Sequence, residues 1–391
     1  MTNTLIIAFC ALVLVAYFFD LTASKTKVPS VVILIIMGWA IQQLVSYLQL
    51  RAPDLSPMLP ILGSFGLILV VMEGSLELEI RRGKMLFITK SFLAALAPIL
   101  ILSFLFAMAF QYRVGGDFRI CLINAIPFTI ISSAIAIPSV KHLDSKVREF
   151  TTYESSFSDI IGVMFFNFVA MNTVYNASLA LTFSMYFVIA IILSFIATLG
   201  LLILIEKIDH HVKFIPIIML TVLIYSLFTR YHFPELIFIL IFGLFLQNID
   251  RIQNVKMFRW IRRFNPTTLQ PEIDRLKDLV SEGSFLIRSL FFLLFGYLLE
   301  NKNLFNPNTL LMALGISIAI FAVRALVMLL LHAPFKPLFF IAPRGLITIL
   351  LFISILPAQH LDFVTKSLLI QVIIITSLMM MLGLMLTKKK N

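Results

Sequence analysis

The sequence predicts an all-α polytopic membrane protein, and three observations carry that prediction. Sixty per cent of the 391 residues are hydrophobic and only 13% are charged, with a mean hydropathy of +1.01. The apolar residues gather into runs long enough to cross about 30 Å of hydrocarbon as helices. Thirteen such runs read as helices, which besides a closed barrel are the only common way to satisfy a spanning backbone.

The runs fall at 4–22, 29–48, 58–79, 86–111, 118–141, 150–175, 181–205, 214–229, 233–249, 281–300, 308–332, 336–357 and 364–387. We number them spans 1 to 13 and read residues 1–391 as a single transmembrane domain. The first run lacks a basic leader and a small-residue cleavage site, so it reads as a retained span. Cys10 and Cys121 both lie inside apolar runs, where a disulfide framework is not expected.

The net charge of +11 does not mark a nucleic-acid partner, because most of the lysines and arginines occupy the loops after odd-numbered spans and the tail. That asymmetry places the amino terminus outside and the carboxyl terminus in the cytoplasm. Residues 249–280 form the longest predicted loop; within it Lys256, Arg259, Arg262 and Arg263 alternate with Met257, Phe258, Trp260 and Phe264. Such a basic amphipathic segment belongs on anionic lipid headgroups.

Two spans are interrupted at mid-depth. Span 5 reads Pro127-Phe128-Thr129-Ile130-Ile131-Ser132-Ser133-Ala134 and then Pro138; span 12 carries Ala342-Pro343-Arg344-Gly345. They stand seven spans apart, and that odd offset gives them opposite directions in the membrane. The pattern predicts two inverted six-helix repeats, spans 1–6 (4–175) and 8–13 (214–387), with 181–205 as the linking helix and the broken spans 5 and 12 crossing.

Span 6 opens with Tyr153-Glu154-Ser155-Ser156-Phe157-Ser158-Asp159 before turning wholly apolar. An aspartate at the centre of a membrane helix costs about 2.5–3.5 kcal/mol even on the lenient insertion scales, so it marks a functional site by default. On a helix Ser155 lies one turn below Asp159 and Glu154 one turn below Ser158. Hydroxyls around one carboxylate are oxygen ligands that suit a hard cation. Glu73, in Val71-Met72-Glu73-Gly74-Ser75-Leu76-Glu77-Leu78, supplies a second acid near the inner end of span 3. Lys90 and Arg324 lie near span ends and are expected to snorkel, whereas Arg288 and Arg344 lie deeper.

At these residues the chain resembles the monovalent cation/proton antiporter superfamily, in its sodium/hydrogen exchanger branch. The matching stretches run in order: Lys27-Val28-Pro29-Ser30 leading to Gly38, Glu73-Gly74-Ser75, the broken span 5 ending Lys141-His142-Leu143, Glu154 to Asp159, and Pro343-Arg344-Gly345. The resemblance implies that Asp159 binds the cation or the proton, with Ser155, Glu73 and Thr129 as further oxygens and Ser158 beside them. It implies a structural ion pair between Glu154 and Arg288, and charge compensation at the crossing by Arg344 with Ser132 and Ser133. No cofactor is implied beyond the transported ions, and a homodimer in the cell membrane is.

The chain departs from that branch in two places. Ser158 stands where the branch has asparagine, and Ile131-Ser132-Ser133 where it usually has Thr-Asp-Pro. The serine-rich version is similar to the potassium-efflux branch. The expected function is therefore exchange of a monovalent cation, sodium first and potassium as the alternative, for a proton at one buried carboxyl. Because Ser158 and not a second aspartate precedes Asp159, exchange is expected to be electroneutral, with Glu73 the one acid able to add a proton. A sodium-coupled organic-anion symporter and a non-transporting membrane sensor or scaffold are the rival readings. No metalloprotease or nucleophilic-serine motif suggests an enzyme.

Overall fold

The computed structural model describes residues 10, 13–18, 30–49, 54–79, 82–172, 177–207, 214–231, 233–252, 266–299, 306–332 and 335–386. Most of span 1, the Lys27-Val28-Pro29 approach, the basic run from Lys256 to Phe264 and the lysine tail lie outside the described residues.

The helices are α1 (Ser30–Tyr47), α2 (Met58–Leu76), α3 (Met85–Val114), α4 (Phe118–Ala125), α5 (Ser133–Val140), α6 (Ser145–Met171), α7 (Ala177–Lys207), α8 (Phe214–Arg230), α9 (Glu235–Gln247), α10 (Pro266–Tyr297), α11 (Pro307–Leu330), α12 (Leu346–Ser354) and α13 (Lys366–Leu386). Eight described helical stretches are long and apolar enough to cross a membrane, with α4 through α5 counted as one, and α8 and α9 are shorter apolar helices.

The main departure from the predicted spans is α10, which begins at Pro266 and not at 281. The stretch around Glu272, Asp274, Arg275, Lys277 and Asp278 is too polar for hydrocarbon yet suits a solvated helix, where Arg275 and Glu272 pair one turn apart at 3.6 Å. Charge ends a span without ending a helix. Part of the predicted 249–280 loop is therefore helical, including a single turn at Ile249–Ile252.

The chain forms two compact units, one of Met1–Gly66, Ile88–Met171 and Leu286–Asn391, the other of Leu67–Phe87 and Asn172–Phe285. In the second unit α7 packs along α9. There Asn248 donates to the carbonyls of Leu78 at 2.9 Å and Leu244 at 2.8 Å, tying the end of α9 to the segment after α2.

The first unit contains both broken helices. The first is α4, a 3₁₀ turn at Ile126–Phe128, four non-helical residues and α5; the second is the short Phe335–Leu338 helix, non-helical residues 339–345 and α12. The breaks meet where the Ser132 amide donates to the Pro343 carbonyl at 2.9 Å. Gly345 sits so close to α5 that a Cβ there would lie 2.6 Å from Ile135 Cδ1 and 2.8 Å from Ser132 Oγ, so any larger residue would have to push those two side chains aside. Gly38 of α1 and Gly296 of α10 likewise let two backbones touch: a Cβ on Gly38 would lie 2.7 Å from the Tyr297 nitrogen.

Two polar clamps fix the amino-terminal half of the first broken helix. Arg119 donates from Nε to the Val169 carbonyl at 2.9 Å and from Nη2 to Ala170 at 2.6 Å, capping the last turn of α6 with a cation. Asn124, fully buried, donates to the carbonyls of Ile120 at 2.9 Å and Gln359 at 2.7 Å and accepts the Leu361 amide at 3.2 Å. Asn124→Ala would leave the buried Leu361 N–H without a partner, so a loss of about 1–3 kcal/mol is expected. Thermal unfolding of the detergent-purified variant measures it, and an unchanged midpoint would show the clamp to be idle.

Candidate functional site

The site is built at the crossing in the first unit, and backbone geometry sets its electrostatics. Interrupting a helix at mid-depth exposes the amides that open one half and the carbonyls that end the other. The amide-bearing end of α5 points at a carboxylate: Ser133, its first residue, donates its hydroxyl to Asp159 Oδ2. At the carbonyl-bearing end of the amino-terminal half, Arg344 donates from Nε to the Phe128 carbonyl at 2.7 Å and from Nη1 to the Ala342 carbonyl at 3.1 Å. Each stub thus faces a charge of the sign its dipole favours. The Arg344 amide adds a bond to Thr376 Oγ1 of α13 at 3.2 Å.

Asp159 is shut off from the surface, and its second oxygen, Oδ1, has no hydrogen-bond partner. Ser155, one turn earlier, is also fully buried and its hydroxyl makes only a long 3.4 Å bond to the Thr152 carbonyl, leaving its lone pairs free. Thr129 donates to the Ile126 carbonyl at 2.8 Å and meets Ser103 of α3 at 3.3 Å. Because the Thr129 proton is committed to Ile126, Ser103 is the donor in that second contact. Ser103 was not expected at the site; the signal for it is a lone hydroxyl in the middle of the apolar span 4. Glu73 belongs to the second unit, where it is 6% exposed and accepts the Ser281 hydroxyl of α10 at 2.9 Å.

Two roles drawn from the sequence exchange places. Ser158 was expected beside the cation, but its Oγ accepts the Ile131 amide at 2.9 Å and so braces the break. Ser133 was expected to brace the break, and it is the residue that touches Asp159. The reason is helical phase: consecutive residues point about 100° apart, so Ser158 cannot share Asp159's direction. Ser132, also assigned to the crossing, contributes its amide to Pro343, while its hydroxyl has no partner.

The predicted Glu154–Arg288 pair is replaced by Glu154–Arg324. Arg324 Nη1 donates to Glu154 Oε1 at 2.8 Å and Nη2 to Oε2 at 3.0 Å, with both side chains about 2% exposed or less. Arg324 Nε and Nη2 also donate to the Leu338 carbonyl at 2.9 and 2.7 Å. Arg324 does not snorkel, because the short helix Phe335–Leu338 returns to offer it a carbonyl inside the protein. Arg288 is buried on α10 and makes no bond to Glu154, whose two oxygens are already engaged.

One buried carboxyl held by a hydroxyl, at the meeting of two interrupted membrane helices, is the architecture of a secondary ion transporter. The chain belongs to the sodium/hydrogen exchanger family, whose model, described as sodium/hydrogen exchanger, transmembrane, matches residues 10–388. Proteins of that family are transporters and not enzymes. Two solved structures share the fold. One is the sodium proton antiporter MjNhaP1 from Methanocaldococcus jannaschii at pH 8, with 17% identity and a TM-score of 0.69, covering 99% of this chain and 96% of that one. The other is an electron-microscopy structure of the same antiporter, with 18% identity and a TM-score of 0.67, covering 99% and 95%. A comparison with curated proteins gives no match.

Proposed function

We propose that the chain exchanges a monovalent cation, sodium first, for a proton by letting the two compete for Asp159. The observation that carries this reading is a fully buried carboxyl with one oxygen held by Ser133 and the other without a donor. Desolvation favours the neutral, protonated carboxyl, while a bound cation favours the ionised one, so either guest can satisfy the site. An empty, charged carboxylate would be too costly to carry across the bilayer, and that penalty ties export of one ion to import of the other. Arg324 is committed to Glu154 and Arg344 to main-chain carbonyls, so both arginines act as fixed charges. Ser155 and Thr129 are the further oxygens of this reading, and the loop charge asymmetry favours a carboxyl terminus in the cytoplasm, in a homodimer in the cell membrane.

With a serine before Asp159, exchange is one cation for one proton. Dequenching of a pH-sensitive dye in everted vesicles, run with sodium, lithium and potassium in turn, tests both parts. A sodium or lithium response that ignores an imposed membrane voltage is expected. A rate that climbs steeply with voltage overturns the stoichiometry, and silence with every cation overturns exchange. The serines at 132, 133 and 158 favour a second reading, potassium/proton exchange, which a response to potassium alone would select.

A further inference from the structure

Two buried oxygens at the crossing make no hydrogen bond, Asp159 Oδ1 and Ser132 Oγ. They belong to, or sit next to, the two residues joined by the Ser133–Asp159 bond. Neither is lost to helix capping, since the Ser132 side chain caps no amide of α5. Buried polar atoms without partners carry a desolvation penalty and call for an explanation, a bound water or ion being one. Ser158 Oγ is already engaged by the Ile131 amide, which spends one of its two lone pairs on the break.

A hydroxyl has one proton and two lone pairs. Ser133 can point its proton at Asp159, or turn that proton away and present a lone pair to a cation lying against the same carboxylate. It cannot do both along one direction. We propose that Ser133 is a cation ligand in its own right and the hydroxyl that adapts the site to its two guests, with Ser132 Oγ completing the oxygen set on the α5 side. This rests on the reading of Asp159 as the shared carboxyl, and assigns the ligand role that sequence adjacency had given to Ser158.

The test is sodium-driven exchange in proteoliposomes at fixed pH, with Ser133→Ala, Ser133→Thr and Asp159→Asn each purified as folded protein. Ser133→Ala is expected to raise the half-saturating sodium concentration about tenfold while the maximal rate stays within about twofold, the scale on which one lost supporting oxygen weakens a metal site. Ser133→Thr, which keeps the hydroxyl, is expected to restore the affinity. An unchanged half-saturating concentration in Ser133→Ala overturns the proposal. So does a fall in maximal rate alone, or a folded Ser133→Thr that fails as badly as the alanine variant, because either points to packing. Exchange that persists in Asp159→Asn strikes the shared-carboxyl reading itself, and is separable from any result at Ser133.

Discussion

Asp159→Asn is expected to bring cation-dependent proton movement in proteoliposomes down to the level of protein-free vesicles. Asparagine fills the same volume and its amide oxygen can still accept the Ser133 hydroxyl, so α6 and α5 keep their contact. What disappears is the only property the mechanism needs, a group that is neutral with a proton and negative with a cation. Size-exclusion behaviour and melting temperature should stay close to those of the parent, which separates loss of transport from loss of fold. Exchange at a normal rate in the folded variant would remove Asp159 from the mechanism.

The second large effect is on stability. Arg324→Ala strands Glu154, 1% exposed, without its two donors. Removing one partner of a buried pair typically costs about 3–5 kcal/mol, since the remaining charge keeps its desolvation penalty and loses its compensation. The same change takes from the Leu338 carbonyl two bonds of that guanidinium and leaves it only the Ile341 amide. The variant is expected to melt far below the parent in detergent, and the double variant Glu154→Gln with Arg324→Met to recover most of the loss. Arg288→Ala, replacing the arginine that the sequence favoured, should leave the Glu154 bonds intact. If Arg288→Ala proves as damaging as Arg324→Ala and the double change recovers nothing, the pairing assigned here is wrong.

The spans were legible because a bilayer leaves the chain almost no alternative to helices, and their breaks were legible because Pro127, Pro138, Pro343 and Gly345 puncture apolar runs. Asp159 could be found for the same reason, as an acid where hydrocarbon penalises one. Partner choice was not legible. Nothing in one dimension distinguishes Arg288 from Arg324 as the mate of Glu154, and depth along a span favoured the wrong arginine. Ser133 was misread for a different reason: proximity in sequence made Ser158 look like Asp159's neighbour, when helical rotation turns it away. The start of α10 was missed because hydropathy reports depth in the membrane and is blind to a helix that runs out into water.

The pairing at the crossing has a consequence for how the chain is made. Arg324 and Glu154 are 170 residues apart, and Arg344 and the Phe128 carbonyl 216. A ribosome therefore delivers the acidic helix to the translocon long before the arginines that neutralise it exist. Until then Glu154 has no partner, and only the last fifth of translation supplies the guanidinium that neutralises it. Chains that stop short of that point carry an unpaired acid, a mark by which quality-control proteases could tell an unfinished transporter from a complete one.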